Sequence, residues 1–126
     1  MVTDQDSARQ NGPAQTYQLL IEVAEAVRVY VGRLGLCDFP AGLYVYTGSA
    51  RRNFEARVNR HLSKTKKMHW HIDYLLAAAG VTVREVLRHG EAECVVNQRL
   101  DGMIPVQGFG ASDCRAGCIS HLKRLV

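Results

Sequence analysis

The chain has 126 residues, of which 47% are hydrophobic. This is enough to bury one sizeable core, which predicts a single globular domain. The longest apolar run, residues 75–79, is far shorter than the roughly 18 residues of a membrane span. The polar, acidic start of the chain lacks the pattern of a secretory signal. We therefore expect a soluble, cytoplasmic protein that does not bind membranes.

The net charge of +4 is distributed unevenly along the chain. Residues 51–67 contain seven Lys and Arg residues and one acidic residue, Glu55. Such a segment favours a polyanionic partner, whose binding would weaken steeply with salt. A solvated helix surface is the ordinary alternative, so the spacing of the other residues has to distinguish the two.

The first half of the folded region has the patterns of β-strands. Residues 1–14 are predicted to form a disordered tail, and residues 15–126 a single domain. Alternating apolar residues predict strands over 17–23 and 27–31, paired as a hairpin. A loop over 32–42 follows, and then a third strand over 43–47 that Gly48 would end.

The hydrophobic period changes after Ser49. Phe54, Val58 and Leu62 recur every four residues, which predicts a helix of about fourteen residues with Ser49 as its N-cap. A second helix is predicted around residues 70–78, a strand over 81–87, a third helix over about 91–100 and a final strand near 121–126. The fold class is therefore α/β of the α+β kind, a small central and mainly antiparallel β-sheet flanked by helices.

The junction between the third strand and the first helix has the composition of an anion site. Gly48 and Ser49 would leave unpaired N–H groups at the start of the helix, where anions bind. Arg51 and Arg52 would lie in the first turn, an unfavourable place for cations beside a helix dipole unless an anion is bound there. These four residues are the predicted phosphate-binding site.

Tyr44 and Tyr46 are two residues apart on a strand, so their side chains share one face. Arg57 and His61 are four residues apart and share one helix face, which borders the apolar stripe. Singly, each residue has an ordinary structural explanation. Together they indicate a phosphate-handling centre.

Three short motifs in this order resemble those of the GIY-YIG nuclease superfamily. They are Thr16-Tyr17, Tyr46-Thr47-Gly48-Ser49 and Arg57-x-x-x-His61. More narrowly, residues 39–52 (FPAGLYVYTGSARR), 69–76 (HWHIDYLL) and 108–114 (GFGASDC) resemble the small DUF123-type family of GIY-YIG domain proteins, which are sometimes joined to DNA-repair enzymes. The resemblance covers nearly all of residues 15–124 and implies a GIY-YIG-like domain.

The resemblance implies metal-dependent phosphodiester cleavage by a DNA endonuclease. In such enzymes the tyrosine matching Tyr46 assists deprotonation of an attacking water, and the one matching Tyr17 helps to position it. Arg57 would stabilise charge on the phosphoryl oxygens, and His61, or else His69 or His71, would transfer a proton or contact phosphate. The implied cofactor is Mg²⁺ or Mn²⁺, and the implied partners are nucleic acid, with DNA favoured over RNA, and a DNA-repair protein.

The metal ligand is the least defined part of this prediction. Glu93 borders the buried side of the third predicted helix and is the candidate, with Glu91 and Asp73 as alternatives. The family pattern has a second glutamate just after the cysteine, where this chain has Val95. The alternative function is therefore a nuclease-derived module that binds nucleic acid but cuts it weakly or not at all.

Three residues near the carboxyl terminus, together with a cysteine earlier in the chain, have side chains of the types that bind zinc. They are Cys94, Cys114, Cys118 and His121, and three thiols with one imidazole are a suitable ligand set for structural zinc. Cysteine is also among the most commonly buried residue types, so simple packing is the alternative.

Overall fold

The computed structural model describes residues 15–50, 52–63, 66–111, 114 and 117–126. The predicted disordered tail, residues 1–14, lies outside this described part. Within it the chain forms six β-strands and three α-helices. The strands are β1 (Thr16–Val23), β2 (Val27–Tyr30), β3 (Leu36–Phe39), β4 (Gly42–Ser49), β5 (Val81–His89) and β6 (Leu122–Arg124), and the α-helices are α1 (Phe54–Leu62), α2 (His71–Leu76) and α3 (Glu93–Arg99).

The main sheet has four strands in the order β5-β1-β4-β6, and every neighbouring pair is antiparallel. β1 and β4 pair over their full length, from Thr16 opposite Ser49 to Val23 opposite Gly42. The predicted α+β class, with a small antiparallel sheet and flanking helices, is confirmed. The predicted positions of β1, β4, β5, β6, α2 and α3 are confirmed to within a few residues.

The predicted hairpin between β1 and β2 is wrong. β2 pairs instead with β3 in a separate two-stranded sheet, and β3 lies in the segment predicted to be a loop. β1 has no free edge for β2, because β4 and β5 occupy both of its sides. Alternation along a strand shows which face is buried, but it does not show which strand is the partner.

One face of the main sheet carries most of the core. Residues directly opposite each other in an antiparallel pair point to the same face, so Tyr17, Leu19 and Ile21 share a face with Gly48, Tyr46 and Tyr44. The buried side chains that pack with them from the helices and a loop are Val58, Ile72, Leu75, Leu76 and Phe109. Helices α1 and α2 therefore cover this face.

The first helix is shorter than predicted. It begins at Phe54 and has nine residues, whereas Ser49 is the last residue of β4 and not an N-cap. Asn53, with a φ of 53°, precedes the helix in the left-handed conformation. Pairing with Thr16 on β1 extends β4 to Ser49, so the chain enters the helix later than the apolar period indicated.

Gly48 also has a different role from the one predicted. It lies inside β4 opposite Tyr17 and does not end the strand. A Cβ atom at this position would lie 2.5 Å from the Tyr17 hydroxyl and 2.6 Å from the ring carbon that bears it. Glycine is needed here because the Tyr17 ring occupies the space above the strand.

We predict that Gly48→Ala destabilises the protein by about 1–3 kcal/mol, the usual cost of overpacking a well-packed site. Because the clash is with Tyr17, the same substitution should cost much less in a Tyr17→Ala background. A double-mutant cycle measured by urea unfolding tests this. Equal costs of Gly48→Ala in the two backgrounds would contradict the proposed contact.

Candidate active-site cleft

A cleft of about 700 Å³ lies at the end of the main sheet where β1 begins and β4 ends. Its walls come from both of these strands, from α1 and α3, and from the segments that precede α2 and β6. The lining residues are Tyr17, Tyr46, Gly48, Ser49, Arg57, His69, Trp70, His71, Glu93, Cys94, Gly110, Cys114 and His121. Most of the residues predicted to be functional therefore come together in one place.

Tyr17 and Tyr46 line the cleft and form an aromatic group with His61, which is buried behind them and does not line the cleft. The Tyr17 hydroxyl lies 2.7 Å from His61 Nε2, within hydrogen-bond distance. The Tyr46 ring lies 6.4 Å from the Tyr17 ring and 6.2 Å from the His61 ring, measured between centroids. Strand alternation places the two phenols on one face, and the third turn of α1 brings His61 to them.

Burial keeps these three side chains uncharged at neutral pH. Desolvation lowers the pKa of His61 to about 4 and raises the pKa of both Tyr17 and Tyr46 well above the usual range. The imidazole is therefore neutral, and the phenols are protonated. In this state the group offers hydrogen bonds to a ligand rather than charge.

Arg57 brings a positive charge into the cleft. Its guanidinium carbon lies 4.6 Å from the centre of the Trp70 ring, and its Nη1 donates a hydrogen bond of 2.8 Å to the Ser49 carbonyl oxygen. No carboxylate of the described residues forms an ion pair with Arg57. Stacking and one backbone contact thus hold a cation in place without neutralising it.

Other basic residues of the segment 51–67 have structural roles. Arg60 binds both carboxylate oxygens of Asp73 at 2.9 and 3.0 Å and also stacks on Trp70. The Lys66 ammonium donates to the carbonyl oxygens of Arg60, His61 and Ser63 at the end of α1. Part of the charge run therefore stabilises the fold instead of facing a partner.

Among the described residues that line the cleft, Glu93 is the one carboxylate. Its Oε1 accepts a hydrogen bond of 2.7 Å from the Ser49 hydroxyl, and its Oε2 lies 2.5 Å from His121 Nδ1. Burial alone would raise the pKa of Glu93, but the hydrogen bonds from His121 and Ser49 lower it, so the carboxylate is ionised. Burial likewise opposes protonation of His121, yet the contact with Glu93 raises the pKa of this imidazole to about 9.

The two alternative metal ligands, Asp73 and Glu91, lie outside the cleft. Asp73 is fully buried and accepts hydrogen bonds from Arg60 and from the backbone N–H groups of His69 and Trp70. Glu91 forms an exposed ion pair with Arg99. Val95 is 49% exposed and does not line the cleft, whereas Glu93 does.

The predicted phosphate-binding turn does not form at a helix start. Gly48 and Ser49 line the cleft, but as the last residues of β4. Arg52 is exposed and lies ahead of α1 in a bend, and Arg51 is outside the described residues. The prediction that Arg52 lies in the first helical turn is wrong, because the helix begins at Phe54.

Cys94, Cys114, Cys118 and His121 form a cluster at one side of the cleft. Their candidate ligand atoms all lie within 4.8 Å of one another, and the sulfur atoms of Cys94 and Cys114 are 3.3 Å apart. Burial and the neighbouring thiols raise the pKa of Cys94 to about 12. The cluster has the composition and size of a metal-binding site.

Two residues that shape the cleft, Trp70 and Gly110, had no role in the sequence-based prediction, which included His71 only as an alternative to His61. Trp70 supports both arginines of α1, and His71 Nδ1 accepts a hydrogen bond of 2.9 Å from the Gly110 backbone N–H. Gly110 has a φ of 68°, and a Cβ atom there would lie 2.9 Å from the Tyr46 ring. The motifs at residues 69–71 (HWH) and 108–110 (GFG) contain these residues and are visible in the sequence. Nothing in their spacing, however, predicts that they contact Arg57 or Tyr46.

The fold and the cleft define a small α+β protein with a polar site at one end of an antiparallel sheet. The family model described as "Domain of unknown function DUF123" matches residues 16–126. The chain therefore belongs to this family. No curated protein and no solved structure matches the chain. Among the described residues, none of the helices is long and apolar enough to cross a membrane.

The neutral state of His61 predicts a pH dependence of stability. Its pKa is about 4 in the folded protein, against an ordinary value of 6.5, so between these values the unfolded chain takes up a proton that the folded one does not. Stability should be complete above pH 6.5 and fall towards pH 4, by up to about 3 kcal/mol from this one residue.

Urea unfolding of the wild type and of His61→Gln between pH 4.5 and 7.5 measures this contribution. The variant should show a shallower fall in unfolding free energy on acidification. His71 and His89, whose pKa values are also lowered by burial, are common to both proteins and cancel in the comparison. Equal pH slopes would contradict the neutral, buried state of His61.

Proposed function

We propose that the protein is a metal-dependent nucleic-acid phosphodiesterase, a DNA endonuclease of the GIY-YIG type. The observation that carries this proposal is the Arg57 guanidinium. It is held over Trp70 and against the Ser49 carbonyl, it lacks an ion-pair partner among the described carboxylates, and it lines a cleft with two phenols and a carboxylate. An oriented guanidinium of this kind suits the charge and the planar geometry of a phosphodiester.

Each polar group of the cleft has a place in this chemistry. Arg57 would bind the non-bridging oxygens and stabilise the negative charge that develops on them. Tyr46 would direct the attacking water, and Tyr17, fixed by its contact with His61, would position the phosphate or the water. His71, whose Nδ1 accepts from Gly110, would contact the ligand from the opposite wall.

Glu93 is the residue that would hold a divalent cation. Magnesium ions are commonly bound by one or two protein carboxylates together with substrate phosphates and water, so a single cleft carboxylate is a sufficient protein ligand. When bound, Mg²⁺ or Mn²⁺ would polarise the phosphoryl oxygens and stabilise the leaving group. The raised pKa of Tyr46 keeps this phenol protonated unless a cation lies close to it.

One observation favours a second candidate, a nuclease-derived module that binds nucleic acid without cutting it efficiently. Both oxygens of Glu93 are already engaged, one by Ser49 and the other by His121. A cation would have to share or replace these contacts. Binding through Arg57 and Trp70 has no such requirement.

The choice of DNA as the substrate and of a DNA-repair protein as a partner depends on the family resemblance, whereas the cytoplasmic location depends on the composition of the sequence. The polar groups of the cleft suit a deoxyribose and a ribose phosphate equally. The choice between DNA and RNA therefore needs substrates of both kinds in the same assay.

The direct test measures cleavage of labelled duplex, flap, branched and single-stranded DNA, and of matched RNA, with Mg²⁺ or Mn²⁺. Tyr46→Phe and Arg57→Ala should each lower the cleavage rate by about 10²–10³-fold, the usual effect of removing one transition-state contact. Arg84→Ala is the matched control, because Arg84 pairs with Glu22 on the exposed part of β5, away from the cleft.

The outcomes separate the two candidates. Cleavage that needs the metal, depends on Arg57 and is unchanged in Arg84→Ala supports the nuclease. Binding that is salt-sensitive and depends on Arg57, without cleavage under any metal condition, supports the binding module. Neither cleavage nor Arg57-dependent binding with any substrate would overturn both.

A further inference from the structure

Three thiols and one imidazole from separate parts of the chain converge beside the cleft. Cys94 lies in the first turn of α3, whereas Cys114, Cys118 and His121 belong to the segment before β6. All four candidate ligand atoms lie within 4.8 Å of one another. In a tetrahedral zinc site with three sulfurs and one nitrogen, these atoms are about 3.5–3.8 Å apart. The Cys94 and Cys114 sulfurs, now 3.3 Å apart, would move slightly apart, and the wider pairs would approach by about 1 Å, to complete the coordination.

The orientation of His121 shows which of its nitrogen atoms faces a ligand. Nδ1 lies 2.5 Å from the Glu93 carboxylate and 3.2 Å from the Thr47 carbonyl oxygen. Nε2 is buried and has no hydrogen-bond partner among the described residues. A buried nitrogen of this kind calls for a ligand, and the neighbouring thiols supply the remaining coordination positions.

The contact between Glu93 and His121 is the arrangement that metal-bound histidines usually have. A histidine that binds a metal through one nitrogen generally donates its other N–H to a carboxylate, which fixes the ring orientation. Glu93 provides this carboxylate, and its second oxygen accepts from Ser49 at the edge of the cleft. A chain of contacts therefore leads from the cysteine cluster to the proposed catalytic site.

We propose that Cys94, Cys114, Cys118 and His121 Nε2 bind one structural zinc ion, and that Glu93 orients the zinc-bound imidazole. In this arrangement zinc fixes the Glu93 carboxylate in the cleft through His121. Loss of zinc would release His121 and change the position of the one carboxylate that lines the cleft. Glu93 thereby becomes a positioning residue of the zinc site as well as the candidate ligand of a catalytic cation.

Zinc content and coordination test the site without any nucleic acid, so the result is independent of the proposed nuclease function. Protein prepared without a polyhistidine tag should contain one zinc ion per chain by mass spectrometry of metals. X-ray absorption should show three sulfur ligands at about 2.3 Å and one nitrogen at about 2.0–2.1 Å. Cobalt substitution should give the absorption bands of a tetrahedral thiolate site.

Zinc affinities of variants distinguish the loss of a specific ligand from a general loss of stability. Cys118→Ser should lower zinc affinity by more than tenfold, while Cys37→Ser, at a buried thiol on β3 that lies outside the cluster, should leave the affinity unchanged. Glu93→Ala should lower zinc affinity by about 10–100-fold, the usual effect of removing such a carboxylate. Glu93→Gln, whose amide oxygen can still accept from His121, should recover most of this loss.

Two results would overturn the zinc site, and a third would overturn the role of Glu93 in it. The first is wild-type protein that neither contains zinc nor binds cobalt with thiolate bands. The second is a disulfide between Cys94 and Cys114, detected as a loss of two hydrogens in the intact mass of protein purified under reducing conditions. The third, equal zinc affinities of wild type and Glu93→Ala, would remove Glu93 from the site while leaving its four ligands in place.

Discussion

The packing of the Tyr17 ring on Gly48 sets the geometry on which the rest of the site depends. This contact follows from the pairing of β1 with β4, in which Tyr17 and Gly48 lie directly opposite each other. A side chain at position 48 would displace the ring, and with it the contact of the Tyr17 hydroxyl with His61. Because His61 belongs to α1, the same packing also fixes the helix that carries Arg57. One cross-strand pair thus places two phenols, a histidine and an arginine around one cleft.

Glu93 connects this cleft to the cysteine cluster. Its two oxygens contact Ser49, at the end of β4, and His121, just before β6. The carboxylate therefore links the end of β4 to the segment before β6, and it is available to a cation only at the expense of these contacts. Under the proposed function, the choice between cutting nucleic acid and only binding it depends on how this carboxylate is shared.

The sequence predicted the elements better than their partners. Period-two and period-four patterns located β1, β4, β5 and α1, because burial of one face leaves a local signal. They did not show that β2 pairs with β3, since the pairing depends on which strand edges are already occupied. They also placed the start of α1 too early, because Gly48 and Ser49 have the composition of a turn although cross-strand pairing keeps them in β4.

For the site, too, the sequence indicated individual residues but not the contacts between distant ones. Tyr17, Tyr46, Arg57 and His61 were found from spacing and from the family resemblance. The support of Arg57 by Trp70, and the contact of Glu93 with His121, join residues that are distant in sequence and have no periodic signal. Composition identified the four side chains of the cysteine cluster, but their approach to within 4.8 Å follows only from the fold.

Trp70 offers the most direct test that this cleft binds a nucleic-acid phosphate. It is the single tryptophan of the sequence, so its indole N–H gives one resolved signal in an ¹⁵N-correlated NMR spectrum. If the cleft binds DNA, titration with a short DNA duplex should give saturable shifts of this signal and of the Gly110 amide signal. The affinity should fall steeply between about 50 and 200 mM salt. Shifts confined to β2 and β3, with the Trp70 indole unchanged at saturation, would contradict binding in the cleft.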